Sequence, residues 1–116
     1  MPFQTADATP VVAAYYDAAP RPLCAFWIDV KVVALYSDGS KAAAYWLQGL
    51  FRSSAAGVLT QVGSTASIIT AEEDTGSMDC TMAASGTQIQ VTVTGVAATT
   101  INWVLDNTIR HAPFSK

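Results

Sequence analysis

The alternation of residue types from Cys24 to Tyr36 constrains the fold of this chain more than any other feature. Every even position in this segment is without charge, whereas Asp29 and Lys31 occupy odd positions. A period of two is typical of a β-strand with one buried face, because successive side chains point to opposite sides of a strand. We therefore predict a long strand over residues 24–36, with its even-numbered side chains in the core.

A tight turn and a return strand follow this first strand. The Asp and Gly residues of segment 37–40 tolerate the backbone angles that turns require. If Tyr36 lies opposite Lys41, the apolar side chains of segment 41–52 share one face with those of the first strand. In this register the apolar pairs are Val32 with Tyr45, Val30 with Leu47, and Phe26 with Phe51.

The rest of the chain continues this strand pattern, with turn-rich stretches between the strands. The predicted strands are 58–62, 65–71, 78–83, 88–94 and 101–109, and an acidic loop is predicted over 72–77. We find no convincing amphipathic helical period, and the 116 residues fit a single domain. The sequence therefore predicts an all-β domain, either an antiparallel β-sandwich or an open barrel, of about seven strands.

The first 22 residues differ from the rest in their proline content. Four of the five prolines lie here, and proline cannot donate to a strand ladder. We expect residues 1–22 to form an extended N-terminal arm, and residues 23–116 to form the β domain with a short C-terminal tail. A disordered tail is the alternative, but we expect a neighbouring subunit to order the arm through its apolar residues, which are Val11, Val12, Tyr15 and Tyr16.

Charged residues are scarce in this chain. They make up 13% of the sequence, roughly half the usual share. A small monomer needs a charged surface to stay soluble, so we expect part of this surface to be covered by a partner. A net charge of −3 without a run of basic residues argues against nucleic acid as that partner.

Neither a membrane nor a secretory pathway is indicated by the sequence. No apolar stretch approaches the roughly 18 residues of a membrane span. Residues 1–4 lack the basic and apolar regions of a signal peptide, so we expect the chain to remain in the cytosol, where it is made.

The sequence offers no catalytic constellation, metal site or cofactor motif, so we do not expect an enzyme. Cys24 and Cys80 lie within apolar strand patterns and are predicted to be buried thiols rather than a disulfide. His111 is the only histidine and is interpreted as a solvated or interface residue of the tail. The carboxylates in and near the acidic loop do not have the spacing of a calcium loop, and they are Glu72, Glu73, Asp74 and Asp79.

The odd-numbered face of the first hairpin is more apolar than a solvated face should be. In the register above, Trp27 lies opposite Leu50, and Lys31 lies opposite Trp46, where it is placed for a cation–π contact. A large exposed apolar patch usually marks an interface, so we predict that Trp27, Trp46 and Leu50 contact a partner. The alternative is that a second sheet packs over this face and makes it part of the core.

Three segments resemble a small β domain that recurs in virion proteins of tailed bacteriophages. They are SDGSKAAAYWLQGLFR (37–52), LTQVG (59–63) and VTVTGVAATTINW (91–103). The recurring features are a turn before an Ala-Ala-Tyr strand, a Gly-X-Phe-Arg end, an acidic loop and a closing Val-Thr-Gly followed by Thr-Ile-X-Trp. The resemblance extends over residues 24–110.

The resemblance implies a component of a bacteriophage particle. A short chain of one β domain and an arm is most similar to a capsid decoration (cement) protein, which clamps neighbouring capsid subunits. The partners implied are the major capsid protein and further copies of the chain itself, as a homotrimer. The place implied is the capsid surface of the virion, after assembly in the host cytoplasm.

Two other functions remain open from the sequence. One is a tail or fibre component of the same particle. The other, from a different class, is a carbohydrate-binding module for host glycans, in which Trp27 and Trp46 would stack on sugar rings.

Overall fold

A computed structural model of the chain describes residues 2–67, 72–73 and 77–113. These residues form β-strands and no helix. The strands are β1 (Pro2–Thr5), β2 (Val11–Asp17), β3 (Cys24–Tyr36), β4 (Ala42–Ser53), β5 (Leu59–Ser67), β6 (Glu72–Glu73), β7 (Asp79–Ser85), β8 (Gln88–Thr94) and β9 (Ile101–Pro113).

The strands form two antiparallel sheets that pack as a sandwich. The larger sheet has the strand order β1-β9-β3-β4-β5, and the short β6 also pairs with β4. The smaller sheet has the order β2-β8-β7. The predicted all-β antiparallel class is confirmed, and of the two predicted architectures the sandwich is the one observed.

The first hairpin has the predicted register. Val32 pairs with Tyr45, Val30 with Leu47 and Phe26 with Phe51. The turn closes through the backbone N–H of Tyr36, which donates to the carbonyl oxygen of Lys41 at 2.9 Å. Gly39 adopts a φ of 77° in this turn, a conformation that glycine reaches without steric cost.

The core lies between the two sheets. The larger sheet contributes the even-numbered side chains of β3 and the odd-numbered side chains of the first half of β9, among them the fully buried Trp103. The smaller sheet contributes Ile89, Val91 and Val93 from β8. Both cysteines are buried as free thiols, as predicted.

The N-terminal segment is extended, as predicted, but it is not an arm outside the β domain. Residues 2–5 pair with β9 in the larger sheet, and residues 11–17 pair with β8 in the smaller sheet. The prolines permit this pairing because Pro2 begins an edge strand, while Pro10, Pro20 and Pro22 lie outside the strands. The chain therefore joins both layers of the sandwich before the first long strand begins.

Thr5 anchors this segment to the core. Its side-chain oxygen accepts a hydrogen bond of 2.9 Å from the indole Nε1 of Trp103, and both residues are buried. The Phe3 ring is also stacked with the Trp103 ring, with the two ring centres 6.2 Å apart. A buried indole N–H needs such a partner, because leaving it unpaired costs about 1–3 kcal/mol.

Three further boundaries differ from the sequence prediction. Residues 59–67 form one strand rather than two, because a shift of register opposite Gln48 and Leu50 lets pairing with β4 continue past Gly63. Residues 72–73 were predicted to be part of a loop, but their backbone pairs with β4, while residues 74–76 lie outside the described residues. His111 lies within β9 rather than in a tail, since pairing with β3 continues to Pro113.

Deleting residues 1–22 should therefore destroy cooperative folding of the domain. The 23–116 fragment would lack a strand of each sheet and would expose Trp103, so thermal unfolding followed by circular dichroism should show no cooperative transition.

The milder Thr5→Val change should lower the free energy of unfolding by about 1–3 kcal/mol, since it removes only the buried acceptor. Thr108→Val, at an exposed position of β9, is the matched control, and an equal effect of both changes would contradict the anchoring role of Thr5.

Candidate interaction surface

The outer face of the larger sheet is the surface that does not contact the smaller sheet. Its side chains alternate along each strand with those of the core. We define the outer face by Trp27, Asp29, Lys31, Val33 and Leu35 of β3, Ala42, Ala44, Trp46, Gln48, Leu50 and Arg52 of β4, Val62 of β5, and Val104, Asp106, Thr108 and Arg110 of β9.

No described strand covers the outer face. Val33 and Val104, which pair across β3 and β9, are 57% and 51% exposed. Trp27 is 41% exposed, although it is one of the largest apolar side chains of the domain. The alternative that a second sheet packs over this face is therefore wrong, because the smaller sheet lies on the opposite side.

Apolar residues form two patches on the outer face, one toward each end of the strands. The tryptophan patch consists of Trp27, Leu50 and Val62, which are neighbours across β3, β4 and β5. The valine patch consists of Val33, Leu35 and Val104 at the other end. Beside the tryptophan patch, Arg110 lines an open crevice of about 300 Å³ together with Trp27 and Leu50.

A polar band separates the two patches. The Nζ atom of Lys31 lies 4.7 Å from the centre of the Trp46 ring, which confirms the predicted cation–π contact. The indole Nε1 of Trp46 donates to the carboxylate of Asp29, and Gln48 Nε2 donates to the same carboxylate at 3.5 Å. These contacts hold the Trp46 ring half-buried in the sheet surface, so it is less available to a partner than Trp27 is.

The remaining predicted interface residues lie on a different surface. Val11, Val12 and Tyr15 belong to β2 of the smaller sheet and are exposed, Tyr15 by 64%. Tyr16 packs inward, with its ring 5.3 Å from that of Phe26, and is not a free contact residue. The structure thus divides the predicted interface into two groups on opposite layers of the sandwich.

A groove runs between β2 and β9, which face each other across one side of the sandwich. It encloses about 510 Å³ and is lined by residues from both strands, among them Val12, Tyr15 and Asp106. Sequence reasoning did not find this groove, because it depends on how two distant segments stack.

Neither a candidate metal-binding group nor a helix of membrane length occurs among the residues that the structure describes. No group of three or more His, Cys, Asp or Glu residues in the described ranges is placed to hold a metal ion. His111 is exposed, and its Nε2 lies 3.0 Å from Arg21 Nη1. Since a guanidinium group can only donate, Nε2 is the acceptor in this contact. In the same ranges, no helix is long and apolar enough to cross a membrane.

Comparison with protein-family models, with curated proteins and with solved structures finds no match to this chain. Any functional assignment therefore depends on the outer face and on the residues of the chain itself.

The Cys80 thiol should be unreactive in the folded protein. Burial, with a smaller contribution from the charge of Asp79, raises the pKa of Cys80 to about 12, and only the thiolate is nucleophilic. Dithionitrobenzoate should therefore label Cys80 at pH 8 only after denaturation. Rapid labelling of the native protein at Cys80 would contradict this.

Because the folded pKa of Cys80 is raised, the free energy of unfolding should also fall as pH rises from 9.0, the ordinary pKa of the thiol, toward 12.

The contact between Lys31 and Trp46 should be measurable as an energetic coupling. A double-mutant cycle with Lys31→Met and Trp46→Leu should give a coupling of about 0.5–1 kcal/mol in the free energy of unfolding. The matched control is a cycle of Lys31→Met with Trp27→Leu, whose side chains lie on the same strand but two outer-face rows apart, and it should show no coupling. Equal coupling in both cycles would show that the effect is not specific to the contact.

Proposed function

We propose that this chain is a structural protein of a bacteriophage virion, a capsid decoration protein that binds the major capsid protein and further copies of itself. In this proposal it works by covering and joining surfaces, and not by catalysis. The observation that carries the proposal is the apolar outer face, whose two patches remain exposed in the single chain.

The physical support is that the apolar side chains of this face are exposed to water, which is unfavourable. Soluble monomers rarely leave contiguous apolar patches of more than a few hundred Å² exposed. Here such residues line the long outer face of a chain in which only 13% of residues carry charge. Covering that face with a second protein removes its apolar side chains from water, which is the main favourable contribution to association.

The support for a virion comes from the residues that resemble phage proteins. Segment 37–52 coincides with the first turn and nearly all of β4, and segment 91–103 spans the end of β8 and the start of β9. Both segments supply strands of the sandwich, so the resemblance concerns the framework of the domain. The proposed place of action is the capsid surface, after assembly in the host cytoplasm, and a tail or fibre position on the same particle is the nearest alternative.

A carbohydrate-binding module is the second candidate, and one observation favours it. The exposed Trp27 ring borders the crevice that Arg110 also lines, and sugars commonly bind where an aromatic ring and polar side chains meet. The two functions differ in what happens to this ring. Subunit contacts would cover it, whereas a glycan site would leave it open in the assembled protein.

Binding to particles tests the proposal directly. The purified chain should co-sediment with capsids of its phage that lack it, and Trp27→Asp should weaken this binding at least tenfold while leaving the circular dichroism spectrum unchanged. Thr81→Asp, at an exposed position of β7 in the smaller sheet, is the matched control, because it lies away from the outer face. A chain that binds glycans on an array but does not bind capsids would support the second candidate and contradict the first.

A further inference from the structure

Charged residues are segregated along the 50 Å length of the domain. The basic end lies where β3 begins at Cys24, and the acidic end lies where β3 finishes at Tyr36. At the basic end, Arg52 and Arg110 lie on the outer face and Arg21 precedes β3, whereas at the acidic end Asp38 lies in the turn that follows β3. Asp7, in the connection between β1 and β2, and Asp79, in β7 of the smaller sheet, lie at the acidic end but away from the outer face. Among the described residues, each end holds a single charge of the opposite sign, which is Asp17 at the basic end and Lys41 at the acidic end.

The strand registers establish the basic end. Arg52 pairs with Ala25, and Arg110 pairs with Trp27, so both arginines lie beside the first residues of β3. Arg21 precedes β3 and contacts His111.

The acidic end follows from the same registers. Asp38 lies in the turn that follows β3, and its carboxylate accepts a hydrogen bond from the backbone N–H of Ser40 at 2.9 Å. The backbones of Glu72 and Glu73 pair with Ala44 and Ala43, which lie near the start of β4 and thus beside the same turn.

The two apolar patches follow the same division. The tryptophan patch lies at the basic end of the outer face, and the valine patch lies at the acidic end. A half turn of one copy about an axis that lies in the plane of the outer face and runs across the strands brings two outer faces together. It places basic residues over acidic ones and the tryptophan patch over the valine patch. The polar band falls near the middle of the face, where Lys31 pairs with Asp106 and the two charges are of opposite sign.

We propose that the outer faces of two copies pack against each other in antiparallel orientation, so that the basic end of each copy lies on the acidic end of the other. This inference rests on the proposed function, in which the outer face is buried by association. It identifies the protein that covers the outer face as a second copy of the chain. A two-fold axis makes each contact occur twice, as in isologous dimers.

Charge selects this orientation over a parallel one. In a parallel pair, or in three parallel copies around an axis along the strands, Arg52 and Arg110 of neighbouring copies would approach each other at one end. The Asp38 carboxylates would meet at the other end, and like-charge contacts across an interface are unfavourable. The antiparallel pair replaces both repulsions by attractions.

The size of the face is sufficient for a stable dimer. The domain measures 50 × 23 × 21 Å, and the outer face extends along its longest dimension. A stable interface buries about 800 Å² on each partner, which fits within a face of this length and width.

Arg52 and Asp38 provide the sharpest test, because they cannot touch within one chain. Arg52 pairs with Ala25, whereas Asp38 lies beyond Tyr36. At about 3.3 Å per residue along a strand, these positions are roughly 36 Å apart. Any coupling between the two residues must therefore arise between copies.

The experiment measures the dimer dissociation constant of the full chain and its variants by sedimentation equilibrium at low and high salt. Arg52→Glu and Asp38→Lys should each weaken dimerisation roughly tenfold, since the two-fold axis doubles every change. The double variant should recover to within about threefold of the parent chain, because its charges attract again. This recovery should diminish at 1 M NaCl, where screening is strong.

Two controls separate this contact from general effects of charge. Asp38→Asn tests loss of charge at the turn, and circular dichroism of each variant tests folding. Arg21→Glu combined with Asp38→Lys is the matched control, because Arg21 is not on the outer face, and this pair should show no recovery.

The outcomes separate the arrangement from the proposed function. A dimer whose double variant recovers supports the antiparallel arrangement. A trimer, or a dimer in which the two single losses simply multiply, overturns the arrangement but leaves burial of the outer face intact. A parent chain that is monomeric up to 100 μM contradicts self-association itself and overturns the inference together with that part of the proposed function.

Discussion

The pairing of β3 on both sides is the constraint on which the rest of this structure depends. β3 pairs with β4 along one edge and with β9 along the other, over nearly its whole length. A slip of one residue in either register would turn Asp29 and Lys31 into the core and Phe26 out of it. The alternation along one strand therefore fixes the orientation of its two neighbours and the position of the smaller sheet.

The same alternation creates the surface that the proposed function depends on. One set of β3 side chains meets the smaller sheet, and the other set has no such cover. On the outer face, polar contacts are concentrated in the middle, where Asp29, Lys31 and Trp46 satisfy one another. The two apolar patches lie on either side of this polar centre, so the polar side chains of the surface satisfy one another while its apolar area stays exposed.

Local patterns predicted the first hairpin in detail, down to the contact of Lys31 with Trp46. They succeeded because a short turn restricts the register of the strands it joins, and that register determines which side chains are neighbours. The same local reasoning wrongly predicted that the N-terminal segment lies outside the domain, because proline content does not indicate which distant strand a segment pairs with. The bond between Thr5 and Trp103 joins residues 98 positions apart, and no local pattern indicates it.

The sequence by itself determined the class of the fold, the buried face of each long strand and the burial of both thiols. These properties follow from side-chain periodicity and polarity, which act over a few residues. Only the tertiary structure decided that residues 2–5 and 11–17 complete the two sheets, that no described strand covers the outer face, and that charge is divided between the two ends. Each of these depends on which distant segments pair, and that choice is made by the total burial and hydrogen bonding of the whole domain rather than by any one segment.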